Sequence, residues 1–276
     1  MTIMARNTRT AFADTSSERT AFLSARSYCY SDSFYRYIAA GSIRSADVVI
    51  PLVLRELSPA SVLDIGCGTG AWLLQYQHSG ISNYVGVDGA YVPRNSLLIP
   101  AEHFQSQDVA QAFDLGRRFD LVQCLEVGEH LPKASSDALV GNLIRHSDKV
   151  LFSASTPGQG GENHINEQTH EFWRLLFAKH GYKPFDLFRP MIAGISTVES
   201  WYRRNIFLYV REAAIPALPS SVLRSAIRDD QSIPEMASLA YRIQFCVLSL
   251  LPTRWVSKMA LAKSYIILVC RRLRSK

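Results

Sequence analysis

With 276 residues, 47% of them apolar and 20% charged, the chain has a globular composition, which excludes disordered, collagen-like and disulfide-scaffold classes. Its net charge of +6 is uneven: residues 215–276 hold ten Lys/Arg against three Asp/Glu, leaving the rest at −1, which argues against nucleic-acid binding by the body. Five cysteines, odd in number and without a CxxC pair, support neither a zinc knuckle nor a disulfide framework.

Residues 1–27 are polar and Ser/Thr-rich with no apolar core, so they read as a flexible leader rather than a signal peptide, and a cytoplasmic location is expected. In 28–57, Tyr30, Phe34, Tyr37 and Ile38, then Val48, Val49, Leu52 and Val53, recur at near-helical spacing. This predicts two helices meeting near Pro51. From residue 61 short apolar runs take over: SVLDIG, NYVGVDG, FDLVQCLEV and KVLFSAST. Runs apolar on both faces suit strands buried between helical layers. The amphipathic stretches 71–79 and 135–147 between them imply βαβ units and a doubly wound α/β fold. A helix at about 168–180, closed by Gly181, and a strand at 204–211 follow. Pro216 and Pro219 mark an expected boundary, giving a main domain at 28–214 and a basic helical extension at 215–276.

The most specific motif is VLDIGCGTGAW, residues 62–72. A strand runs to Asp64, and Gly66, Gly68 and Gly70 lead into a helix. Glycines allow positive φ and close ligand approach, and the helix start presents free N–H groups. Gly66, Gly68 and Ala71 formally satisfy the dinucleotide pattern, but Asp64 before the glycines and the third glycine at 70 favour another cofactor.

The spacing D-x-G-x-G-x-G resembles the first motif of class I S-adenosylmethionine-dependent methyltransferases. That resemblance covers residues 55–211 and implies a mostly parallel seven-stranded sheet of Rossmann type with a helical N-terminal lid. It also implies that Asp64, Gly66, Cys67, Gly68 and Gly70 hold the cofactor's amino acid and ribose portions. Asp88 and Gly89, after the second strand, would grip both ribose hydroxyls. Asp108 and Val109 would face the adenine, and Cys124 and Leu125 would lie beside the cofactor.

Residues 126–130 read Glu-Val-Gly-Glu-His. This E-x-x-E-H resembles O-methyltransferases of ubiquinone biosynthesis and small-RNA 2′-O-methyltransferases. The resemblance implies Glu126, Glu129 and His130 as ligands of Mg²⁺ or Mn²⁺, completed by His164 or His170. It leaves open His130, with Glu129, as base or pocket-shaping group instead. Gly128 stands where the ubiquinone-pathway enzymes commonly carry a bulkier residue. The Gly/Asn-rich stretch 153–173 offers His164 and Asn166 to substrate or metal, with Glu167 and Gln168 as alternative caps of the next helix. Trp201, Tyr202, Arg203 and Arg204 read either as substrate contacts or as a solvated turn.

The apolar stretches 236–252 and 259–270, followed by Arg271, Arg272, Arg274 and Lys276, fit peripheral contact with the inner face of a membrane or packing in a homodimer. The expected function is methylation, O-directed, of a small hydroxylated metabolite, lipid-linked intermediate or glycan. A binding or scaffold protein on the same fold is the alternative.

Overall fold

A computed structural model describes residues 32–234 and the isolated positions 248, 251, 255, 258, 259 and 262. The leader, Tyr28, Tyr30 and nearly all of the apolar and basic tail lie outside the described residues. No helix among the described residues is long and apolar enough to cross a membrane.

The elements are α1 (Asp32–Leu57), β1 (Ser61–Ile65), α2 (Ala71–His78), β2 (Asn83–Asp88), β3 (Phe104–Ser106), β4 (Leu121–Leu125) and α3 (Ser136–His146). They continue with β5 (Lys149–Ser153), α4 (His170–Ala178), β6 (Tyr182–Phe185), α5 (Phe188–Ile192), α6 (Ser200–Asn205), β7 (Phe207–Arg211) and α7 (Ser220–Leu223). The strands form one sheet in the order β3-β2-β1-β4-β5-β7-β6. All pairings are parallel except those of β7, which runs antiparallel to both β5 and β6.

The strands read as apolar on both faces because both faces are covered. Every residue of β1 and of β4 is buried. Val62, Leu121, Leu125 and Leu151 point to one core, shared with α1, α2, α5 and α6. Leu63, Val122, Cys124 and Phe152 point to the other, shared with α3 and α4. This is a doubly wound Rossmann-type α/β fold.

Two expectations are corrected. Residues 32–57 form one helix, with Pro51 exposed inside it. Its stripe of Ala46, Val49, Ile50, Val53 and Leu57 is buried without a break, and that burial outweighs the hydrogen bond the proline cannot donate. The stretch before β7 is not a solvated turn but α6, with Tyr202 buried. Packed structure also continues past the prolines at 216 and 219. Leu218 and Val222 are buried, Ala226 bridges Phe185, and the Arg174 guanidinium donates to the carbonyls of Arg228, Asp229 and Gln231.

Candidate functional site

From β1 the chain passes outward to β2 and β3, then returns to the other side of β1 as β4. That reversal opens a crevice beyond the carboxyl ends of β1 and β4, the place where ligands bind in open α/β sheets. The glycine loop and the Glu126–His130 turn therefore face each other by topology.

The glycine loop is shaped by hydrogen bonds to the next strand. Gly66 and Cys67 N–H groups donate to the carbonyl of Val87 at 2.7 and 3.1 Å. The three glycines have φ of +81°, +53° and +87°, the left-handed region that side chains disfavour. Their surroundings differ. A Cβ at Gly66 would collide with Val127, and one at Gly70 would lie 2.9 Å from Ile99, whereas one at Gly68 would meet nothing within 4 Å. Gly68 thus presents bare backbone to open space. Beneath it Asp64 is fully buried, and burial, reinforced by Asp88 and opposed by Gln123, pushes its carboxyl up to about 7.

Asp88 ends β2 and is buried. Its carboxylate accepts from Gly68 N–H at 2.7 Å, from Gly89 N–H at 2.6 Å and from the Tyr91 hydroxyl at 2.6 Å. Burial raises its pKa, and these three donors oppose the shift. Asp108 lies exposed beyond β3 and accepts from Ala110 N–H, while Val109, Cys124 and Leu125 are buried.

On the β4 side, Glu126 adopts φ +57°, a strained conformation for a non-glycine residue and one that concentrates at functional sites. Its carboxylate accepts from Gln159 Nε2 at 3.0 Å and Asn205 Nδ2 at 3.2 Å. Glu126 also stands close enough to Glu129 to raise its pKa. The atoms of Glu129, His130 and His164 do converge, all within 4.8 Å of one another. Glu129 is fully buried, and neither of its carboxylate oxygens has a hydrogen-bond partner. Burial, with Glu126 nearby, drives its pKa well up.

His130 is held neutral. Burial, with His164 adding to it, lowers its pKa to about 3. Its Nδ1 faces the carbonyl of Asn163 at 3.3 Å, so Nδ1 carries the proton and Nε2 the lone pair. His164 Nδ1 likewise faces Glu167 at 2.8 Å. A carboxylate behind an imidazole is the arrangement that orients histidine ligands of metals.

His170 is not in this group; its Nε2 contacts Asn205 Oδ1 at 3.2 Å, behind Glu126. Asn166 is structural, donating to the Gly128 carbonyl and to Ser136 Oγ. The cap of α4 is Thr169, not Glu167 or Gln168. Glu167 instead gathers the loop, accepting from Gly158 and Gly160 N–H groups at 2.8 Å each. Gly128 is small because the indole of Trp173 occupies its neighbourhood, 2.7 Å from where a Cβ would stand.

A buried seam near Glu126 joins residues that are far apart in the chain. The Tyr202 hydroxyl lies 3.0 Å from Ser42 Oγ on α1 and accepts from Trp72 Nε1 at 3.3 Å. Arg44 pairs with Glu199 at 2.7 Å, closing the same seam between α1 and the start of α6. Tyr91, Gln159 and Asn205 are site residues that sequence reasoning missed. For Tyr91, its place three residues after Asp88 was the available clue.

A family profile described as a methyltransferase domain matches residues 36–187, more than half of the chain. The chain belongs to the methyltransferase family. It is a class I, S-adenosylmethionine-dependent methyltransferase. Magnesium protoporphyrin IX methyltransferase of Arabidopsis thaliana, a chloroplast protein, is 26% identical over 108 residues, which are 37% of this chain and 35% of that protein. The match thus spans about a third of that relative's length. A solved sugar N-methyltransferase from a Streptoalloteichus species is 18% identical with a TM-score of 0.50, covering 76% of this methyltransferase and 99% of that chain. DesVI of Streptomyces venezuelae is 15% identical with a TM-score of 0.48, covering 73% and 100%. The Streptoalloteichus structure shows a shared fold.

Proposed function

We propose that this methyltransferase transfers the methyl group to the hydroxyl oxygen of a small hydroxylated acceptor: a metabolite, lipid-linked intermediate or glycan. The observation that carries the reading is the convergence of Glu129, His130 and His164, next to the turn after β4 whose Val127 packs on Gly66 of the glycine loop. A small molecule suits the body's net charge of −1 better than a nucleic acid does.

In this reading the Gly66–Gly70 loop, Asp88, Gly89, Asp108, Val109, Cys124 and Leu125 hold S-adenosylmethionine. When bound, it supplies an electrophilic methyl on a sulfonium. Displacement at that carbon is in-line, so most of the rate comes from placing the acceptor oxygen. Trp72, Tyr202 and α1 wall the acceptor side, and Glu126, held by Gln159 and Asn205, orients the acceptor through a hydrogen bond.

The residues fit a divalent cation. A buried carboxyl beside two imidazoles with their Nδ1 protons committed is a set of donors that a divalent ion would complete, displacing the proton that burial favours on Glu129. The donor chemistry favours Mn²⁺ over Mg²⁺, since imidazole suits transition ions and Mg²⁺ prefers oxygen. Such an ion lowers the pKa of a bound hydroxyl. His130 suits the role of ligand better than that of base, because an imidazole titrating at about 3 draws little proton from an alcohol.

Labelled methyl transfer onto fractionated extract, with and without chelator, tests the reading. The expected result is alkali-stable, ether-type O-methyl product, turnover reduced at least about tenfold by chelation and restored by Mn²⁺. Glu129→Gln should lose the restoration and retain S-adenosylhomocysteine binding. Turnover indifferent to chelator, or label on nitrogen, would overturn it.

A further inference from the structure

An ionised carboxylate offers about four acceptor positions, two on each oxygen. At Asp88 the protein already fills three. Gly68 N–H occupies one on Oδ2, and Gly89 N–H and the Tyr91 hydroxyl occupy both on Oδ1. A ribose brings two vicinal hydroxyls, and a paired grip needs two positions. Only one is left.

One donor therefore has to leave. Gly68 and Gly89 N–H groups are backbone, held by the turns that join β1 to α2 and follow β2. Tyr91 is a side chain, 53% exposed, on a turn closed by Val92 N–H donating to the Gly89 carbonyl at 3.2 Å. Its ring lies directly on Gly89, where a Cβ would collide with it. The ring's seat exists because residue 89 has no side chain.

We propose that Tyr91 is a gate on the nucleoside site: its hydroxyl stands where a ribose hydroxyl binds Asp88, and it swings toward solvent when the nucleoside enters. The inference rests on Asp88 being the ribose anchor. Tyr91 is then a specificity-determining residue for the cofactor. Loading exchanges one hydrogen bond to a buried carboxylate for another, so affinity falls for cofactor and product alike. Departure of the product is assisted, because Asp88 never has to lose its third partner in a buried site.

The experiment is titration calorimetry of the full chain and Tyr91→Phe with S-adenosylhomocysteine and with its 2′-deoxy and 3′-deoxy analogues. Removing the competing hydroxyl should tighten S-adenosylhomocysteine binding by about tenfold. The analogue that lacks the hydroxyl whose place Tyr91 holds needs only the position already open, so for it the variant and the natural chain should bind alike, whereas the other analogue should keep the gain. Gly89→Ala, which denies the ring its seat, should reproduce the preference in direction. Equal affinity of the natural chain and Tyr91→Phe for S-adenosylhomocysteine would overturn the gate, as would an equal gain for both deoxy analogues. Failure of the natural chain to bind S-adenosylhomocysteine at all would instead remove the cofactor-site reading, and the gate with it.

Discussion

Val127 closes over Gly66 so tightly that a single added methyl group at residue 66 has no room, and this contact joins the glycine loop after β1 to the turn after β4. Because the two loops touch here, the cofactor side and the acceptor side of the crevice are positioned as one unit. Gly66 and Gly68 consequently separate folding from binding, although both have positive φ.

Gly66→Ala meets both the φ penalty and Val127, so it should cost roughly 2–4 kcal/mol of stability. Gly68→Ala meets only the φ penalty, roughly 1 kcal/mol, yet its Cβ enters the open space before the loop. Thermal melts should rank Gly66→Ala as the less stable variant. Among variants still folded at 25 °C, calorimetry should find the Gly68→Ala loss of S-adenosylhomocysteine affinity out of proportion to its change in melting temperature.

Asp64 makes stability depend on pH. Its pKa is about 7 in the fold and near the ordinary 3.8 when unfolded, so between those values the folded chain binds the extra proton. Stability from this group is complete below pH 3.8 and is lost as pH rises toward 7, by up to about 4 kcal/mol. Asp64→Asn should flatten the melting temperature between pH 5 and 7 relative to the natural chain. An unchanged slope in that window would contradict the assignment.

Gly128→Ala drives a methyl group to 2.7 Å from the Trp173 indole, which is itself buried against Phe152. Overpacking of this kind costs roughly 1–3 kcal/mol. Trp173→Phe removes the atoms that would collide, so the double variant should lose less stability than the two single changes added together. A double-mutant cycle from urea melts, with Trp173 fluorescence reporting the first variant, measures the coupling.

Tyr202→Phe leaves Trp72 Nε1 and Ser42 Oγ without their buried partner, at a cost of roughly 1–3 kcal/mol. The loss falls on the seam between α1 and α6. Hydrogen exchange in α1 should quicken, and the acceptor KM should rise more than kcat falls. Protection of α1 unchanged from the natural chain would show that the seam is held elsewhere.

Much of the fold was legible because its cause is local. Strands covered on both faces must be largely apolar, and SVLDIG, FDLVQCLEV and KVLFSAST are, apart from single buried polar residues such as Asp64 and Gln123; amphipathic stretches between them must be crossover helices. Three-residue β3, and β6 with Pro184 inside it, are too short or irregular to leave a period. Pro51 misled because a helix break is a local rule, whereas the buried stripe through Val49, Ile50 and Val53 is a property of the packed helix.

The chain's order of residues determined by itself the doubly wound architecture, the glycine loop and the acidic residue that follows it, since each depends on neighbours in sequence. Only the tertiary structure decided which of Glu126, Glu129, His164 and His170 stand together. It decided too that Gly128 makes room for Trp173. Those outcomes depend on how separate loops meet above the sheet. Distance in space there is set by strand order and burial, and spacing along the chain carries no trace of it.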